Sequence, residues 1–168
     1  MGRYVNNTDF VGKYQISQGI YNTSMINDFI DKYEEIYLQE LLGVDLYNQF
    51  KADADANAPT YIPTEPRFIK IFNQFTEQIG FTFMRSVGFK EMLIGFIYWK
   101  IVVNEISVNT VAGTVQQKGE NSKNVLLPLY KNYNDSVSSY NAIQRFIILN
   151  FSDYSEFQGM KKEKTYWI

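Results

Sequence analysis

The chain has 168 residues, a formal net charge of −2, 13 Tyr and 13 Phe, and neither Cys nor His. The length suits one domain around one core, and the apolar content is ample to fold it. The missing residue types exclude disulfides, thiol nucleophiles, imidazole bases and the usual zinc, haem and iron–sulfur ligand sets, while the near-neutral charge argues against a strongly nucleic-acid-binding surface.

Residues 1–24 are polar and aromatic without a sustained period, and Gly2, Gly12 and Gly19 interrupt any helix. They read as an extended arm that orders against a partner. Thr23 and Ser24 are N-cap residue types. Ile26, Phe29, Ile30, Tyr33, Tyr37 and Leu41 follow at helical spacing, and Gly43 supplies the stop. A shorter helix is expected over Leu46, Tyr47 and Phe50, followed by the loop ADADANAPTYIPTEP. Pro66 suits a first helical turn. From there Phe68, Ile71, Phe72, Phe75 and Ile79 form one apolar stripe that predicts a helix. Gly80 and Gly88 bracket the connector GFTFMRSVG.

A long helix is expected from Phe89, with Met92, Leu93, Phe96, Ile97, Trp99, Ile101, Val102 and Ile106 covering most of its faces. Such a helix is the buried centre of a bundle, and Lys100, Asn104 and Glu105 mark its narrow polar face. The following loop, from Thr110 to Asn121, carries Gly113 and Gly119, and Val111, Val115 and the Gly between them could support a small β-hairpin. The next helix starts near Leu126, because Pro128 fits only a first turn. Its residues Leu126, Tyr130, Tyr133, Val137, Tyr140, Gln144 and Ile147 alternate in steps of four and three, a coiled-coil-like seam. A core built on Phe96, Ile97, Ile101, Tyr133 and Val137 follows. After Phe151 periodicity is lost, and a basic run, Lys161, Lys162 and Lys164, precedes Tyr166, Trp167 and Ile168. An aromatic end of this kind is an anchor for a partner pocket. The expected organisation is an arm over 1–24, a helical domain over 25–151 and a tail over 152–168. The expected fold class is all-α: a small bundle with a long central helix and a short loop or β-hairpin between the two longest helices.

Motifs that carry chemistry are weak. Gly12-Lys13 lacks the spacing of a phosphate loop. Asp53 and Asp55 lack the Gly and terminal Glu of a calcium loop. Asp31, Glu34 and Glu35 share a helical face, but di-metal bundles pair such carboxylates with His, so a solvated face is expected. Carboxylate chemistry with Mg²⁺ remains formally open. Neither a catalytic residue nor a cofactor is expected. The segment Met92–Val103 is too short to span a bilayer, and MGRYVNNTDF lacks the apolar run of a secretory signal. The expectation is a soluble protein, folded in a cytoplasm, with no membrane partner.

At Leu42-Gly43-Val44-Asp45-Leu46-Tyr47, and again at Asn109-Thr110-Val111-Ala112-Gly113-Thr114-Val115, the chain resembles the head-to-tail adaptor proteins of tailed bacteriophages, also called head-completion or connector proteins. The similarity is one of organisation, over residues 25–151. An early helix closes on Leu-Gly; a Pro-containing loop, an aromatic central helix, a loop with Thr and Gly, a last long helix and a tail follow. The resemblance implies a structural virion protein, assembled in the host cytoplasm and without catalytic residues. Its subunits form a ring, commonly of twelve, beneath the portal protein. The ring extends the channel through which genomic DNA passes without specific binding, and it presents a surface to a downstream tail or neck protein. Carried over, Thr110, Gly113, Gln116, Gln117 and Lys118 belong to a loop facing the channel or a neighbour. Tyr154, Phe157, Lys161, Lys162, Tyr166, Trp167 and Ile168 belong to a partner-binding tail. The residues alone leave open a different non-enzymatic helical interaction or regulatory protein of a phage or its host.

Overall fold

The computed structural model describes residues 2–16, 23–106, 108–110, 113–115 and 126–165. Helix α1 spans Thr23–Leu42, α2 Val44–Asp55 and α3 Pro66–Phe72; strands β1 and β2 span Phe75–Ile79 and Thr82–Ser86. Helix α4 spans Phe89–Ile106, strands β3 and β4 Val108–Thr110 and Gly113–Val115, and α5 Leu126–Leu149. The strands form two separate two-stranded antiparallel sheets, β1 with β2 and β3 with β4. The fold is therefore mixed and mainly helical, which corrects the all-α expectation.

The correction falls on the stripe that ran from Phe68 to Ile79. Its first half is α3, but the helix stops at Phe72 and the second half is β1. Phe75, Glu77 and Ile79 pair with Ser86, Met84 and Thr82, so these six residues share one face of the hairpin. Phe75 and Met84 are buried. The steps of three and four that suggested a helix there also satisfy a helix end followed by a strand. Gly80, at φ 59°, makes the turn, and Gly88, at φ 84°, leaves β2 for α4.

Helices α4 and α5 form the centre. Phe96, Ile97, Ile101, Val137, Tyr140, Ile143 and Ile147 are fully buried, and Tyr133 packs against them half-exposed. Burying each of these large side chains contributes about 1.5–3 kcal/mol. At Gly95 the two helices approach so closely that a β-carbon would lie 2.0 Å from Ser136 Oγ. The β1–β2 hairpin docks on α5 through Ser86 and Ser139, whose hydroxyls are 2.9 Å apart, and through the Phe75 and Phe146 rings at 5.1 Å. A second aromatic cluster centres on Phe50, with Phe68, Phe89 and Tyr4 at 5.6, 5.2 and 5.5 Å.

Tyr4 belongs to the segment expected to be an extended arm. Instead residues 2–16 fold onto the domain through two 3-10 turns, burying Tyr4, Val5, Phe10, Tyr14 and Ile16. The clamp is Glu34, which the sequence placed on a solvated face and which is only 5% exposed. Its carboxylate accepts hydrogen bonds from the backbone N–H groups of Arg3, Tyr4 and Val5 at 2.8, 3.0 and 3.0 Å. Arg3 also pairs with Asp55 at 2.8 Å, and Asn132 donates to the Lys13 carbonyl at 3.0 Å.

Candidate functional site: the C-terminal strap and the aromatic cleft

The α1, α4 and α5 helices converge on a cleft of about 170 Å³ lined by Tyr33, Ile36, Tyr37, Glu40, Trp99, Lys100, Tyr133 and Lys162. Its walls are a chain of ring contacts. Tyr33 and Tyr37 stack with centroids at 6.0 Å, Tyr37 and Phe96 at 4.8 Å, and Trp99 meets Tyr133 at 4.9 Å. Of these rings the sequence places Phe96 and Tyr133 in one core, and they meet at 5.5 Å; it does not predict the meeting of Tyr33, Tyr37 and Trp99 with them. Burial pushes the Tyr37 and Tyr140 hydroxyls well above the ordinary tyrosine range, and the nearby Glu40 charge adds to the effect at Tyr140. Both phenols stay neutral, and Tyr140 donates its hydrogen bond to the Met160 carbonyl.

Lys162 fills one side of this cleft. Its ammonium lies 4.8, 5.6 and 5.4 Å from the ring centroids of Tyr37, Phe96 and Tyr140, and it pairs with the Glu40 carboxylate. A cation over several rings and beside a carboxylate is held by two independent electrostatic attractions. Lys100, from α4, lies over Tyr33 at 5.4 Å.

Lys162 arrives there because the segment from Tyr154 to Thr165 returns along the bundle as a strap. The Met160 N–H donates to the Glu40 carbonyl at 2.7 Å and the Gln158 N–H to the Leu42 carbonyl at 3.2 Å. Three carboxamides of α5 then bind strap backbone. Gln144 donates to the Met160 carbonyl at 2.9 Å, Asn141 to the Lys162 carbonyl at 3.0 Å and Asn134 to the Thr165 carbonyl at 2.8 Å. Asn134 also accepts the Thr165 N–H at 2.9 Å, and the Tyr140 hydroxyl donates to the Met160 carbonyl at 2.5 Å. At the strap's start Tyr154, 1% exposed, donates to the Arg67 carbonyl at 2.6 Å; burial pushes its hydroxyl up to about 12.

Of the residues assigned to a partner-binding tail, Tyr154 is therefore buried in its own domain. Phe157 packs half-buried on the core, Lys162 sits in the cleft, and Lys161 is exposed. Tyr166, Trp167 and Ile168 lie outside the described residues. In the loop, Thr110 and Gly113 are register partners closing the β3–β4 hairpin. Gln116, Gln117 and Lys118 lie outside the described residues. Sequence reading missed Glu34, Asn134 and Asn141. The two asparagines are seven residues apart and Gln144 three further on, a stripe of carboxamides at helical spacing that signals backbone bound alongside a helix.

Among the described residues no group of three or more His, Cys, Asp and Glu side chains gathers to hold a metal. No helix among them is long and apolar enough to cross a membrane. Comparison with protein-family models, curated proteins and solved structures finds no match.

Proposed function

We propose that the protein is a structural subunit of a head-to-tail adaptor ring in a tailed bacteriophage. In this reading the ring, of twelve copies, sits between the portal and a downstream tail or neck protein and extends the DNA channel of the virion. The observation that carries the reading is the unit α4–β3–β4–α5. Two long helices pack side by side along a buried aromatic seam and are joined by a hairpin whose register is Val108 with Val115 and Thr110 with Gly113. In this reading the hairpin, lying between the two packed helices in the chain, acts by fit. This is the element order on which the adaptor resemblance rests.

The slightly acidic charge of −2 agrees with a conduit, because each phosphate neutralised by a protein adds affinity and would retard passing DNA. The exposed apolar side chains Phe81, Phe83, Ile148, Leu149 and Phe151 agree with a protein whose surface is covered in an assembly.

The test is co-sedimentation of the purified protein with portal particles of the phage that encodes it. Multiple copies per portal, with saturation at a fixed ratio, support the reading. A protein that stays at the top of the gradient at all portal concentrations refutes it.

A further inference from the structure

The β1–β2 hairpin has two unlike faces. Phe75, Glu77, Ile79, Thr82, Met84 and Ser86 lie on the bundle side, so Thr76, Gln78, Phe83 and Arg85 lie on the other, and all four are exposed. Phe83 is 61% exposed, and the Arg85 guanidinium rests over its ring at 5.7 Å. Arg85 has no carboxylate partner among the described residues. Phe81, at the turn, is fully exposed. Aromatic residues and arginine are the types that dominate the centres of protein interfaces.

The first turns of α1 carry a matching hollow. Asp28, Phe29, Lys32 and Tyr33 line a pocket of about 200 Å³. Phe29 and Tyr33 stack with centroids at 5.8 Å and form its apolar wall. Asp28 is exposed and has no cationic partner among the described residues, since the Lys32 ammonium lies over the Tyr33 ring at 5.2 Å. The hollow is an open depression of about the size of a phenyl group, with the Asp28 carboxylate and the Lys32 ammonium at its rim.

The two features cannot meet within one copy. The hairpin leads into the first turn of α4 at Phe89, whereas Tyr33 lies beside Lys100, eleven residues along the same helix. At 1.5 Å per residue that separates them by roughly 16 Å along α4. A spare arginine on an aromatic ring at one end and a spare aspartate on an aromatic pocket at the other are the two halves of a heterologous contact.

We propose that Phe83 and Arg85 of one copy seat in the Asp28–Tyr33 pocket of the next, Phe83 on the Phe29–Tyr33 wall and Arg85 against Asp28. The contact is heterologous, head to tail, so each added copy leaves one plug and one socket open and assembly continues past a dimer. It rests on the adaptor-ring reading only in requiring a second copy of the chain.

The test uses sedimentation velocity of the whole chain from micromolar to millimolar concentration. The unmodified chain is expected to pass from monomer to species larger than a dimer. Phe83→Asp removes the plug and Asp28→Arg the socket, so each variant alone is expected to stay monomeric. An equimolar mixture is expected to form dimers and stop there, because one intact plug meets one intact socket. That recovery also shows that both variants are folded. A chain that never associates, one that stops at a dimer, variants that associate unchanged, or a mixture that stays monomeric each overturn the proposal. If the mixture pairs but nothing loads on portal particles, the contact stands and the ring reading falls. If portal particles take up many copies while the mixture stays monomeric, the reverse holds.

Discussion

Lys162 meets Glu40 across 122 residues of sequence, and the pair closes one side of the aromatic cleft. Lys162, which the adaptor resemblance assigns to a partner-binding tail, thus ties the chain to itself. Both side chains are mostly shielded from water, at 17% and 28% exposure, so their attraction is less screened than that of a surface pair.

Lys162→Met keeps most of the stem's packing and removes the charge. It is expected to lower stability by about 1–2 kcal/mol, the sum of a modest ion pair and cation–π contacts. Hydrogen exchange at the Met160 amide should speed up while exchange in the middle of α4 barely changes. Equal acceleration at both sites would show that the strap is inseparable from the core.

Glu34→Ala leaves the N–H groups of Arg3, Tyr4 and Val5 without their acceptor beneath a buried segment. Each such loss costs about 1–3 kcal/mol, less what water recovers, so a loss of about 3 kcal/mol in urea unfolding is expected. A change under about 0.5 kcal/mol would remove Glu34 as the clamp.

The same residue gives a pH dependence. Burial, the largest influence, raises the Glu34 carboxyl above its ordinary value near 4.5, against the pull of the three N–H donors and of Arg3. A carboxyl with a raised folded pKa binds its proton more tightly in the folded state. Its contribution to stability is then fully present below the unfolded value and is lost as pH rises through the folded one. Relative to Glu34→Gln, the unmodified protein should gain stability as pH falls from 7 to 4. A relative loss on acidification would reverse the assignment and make the N–H donors dominant.

How much of this was legible follows from periodicity. Helices α1, α4 and α5 announce themselves through stripes such as Ile26–Ile30–Tyr37 and Tyr133–Val137–Tyr140, and Gly43 and Pro66 mark real boundaries. The β1–β2 hairpin was hidden because Phe72, Phe75 and Ile79 fit a helical stripe as well as a helix end and a strand. The two terminal segments were hidden for a different reason. Tyr4, Val5 and Tyr14, or Tyr154 and Lys162, have no repeat of their own. Their positions are set by single distant groups such as Glu34 and Gln144, which look like ordinary surface residues on their helices. The loop was readable as a possible hairpin from Val111, Val115 and the Gly between them; the backbone closes one there, with strands at Val108–Thr110 and Gly113–Val115.

The close approach of the two central helices at Gly95 provides a sharp test of their packing. A β-carbon on Gly95 would lie 2.0 Å from Ser136 Oγ and 3.3 Å from Ser136 Cβ. Gly95→Ala gains about 1 kcal/mol of helix propensity but forces α4 and α5 apart or twists Ser136 from its rotamer. A net loss of about 1–3 kcal/mol is expected. Ser136→Ala removes the nearest atom at the expense of its hydrogen bond to the Asn132 carbonyl, and alone it should change stability by about 1 kcal/mol or less. Combined, the two substitutions should recover much of the loss, with a coupling of about 0.5–3 kcal/mol in a double-mutant cycle from urea unfolding. Additive effects would mean that the helices do not touch at this point and that the seam is held elsewhere along α5.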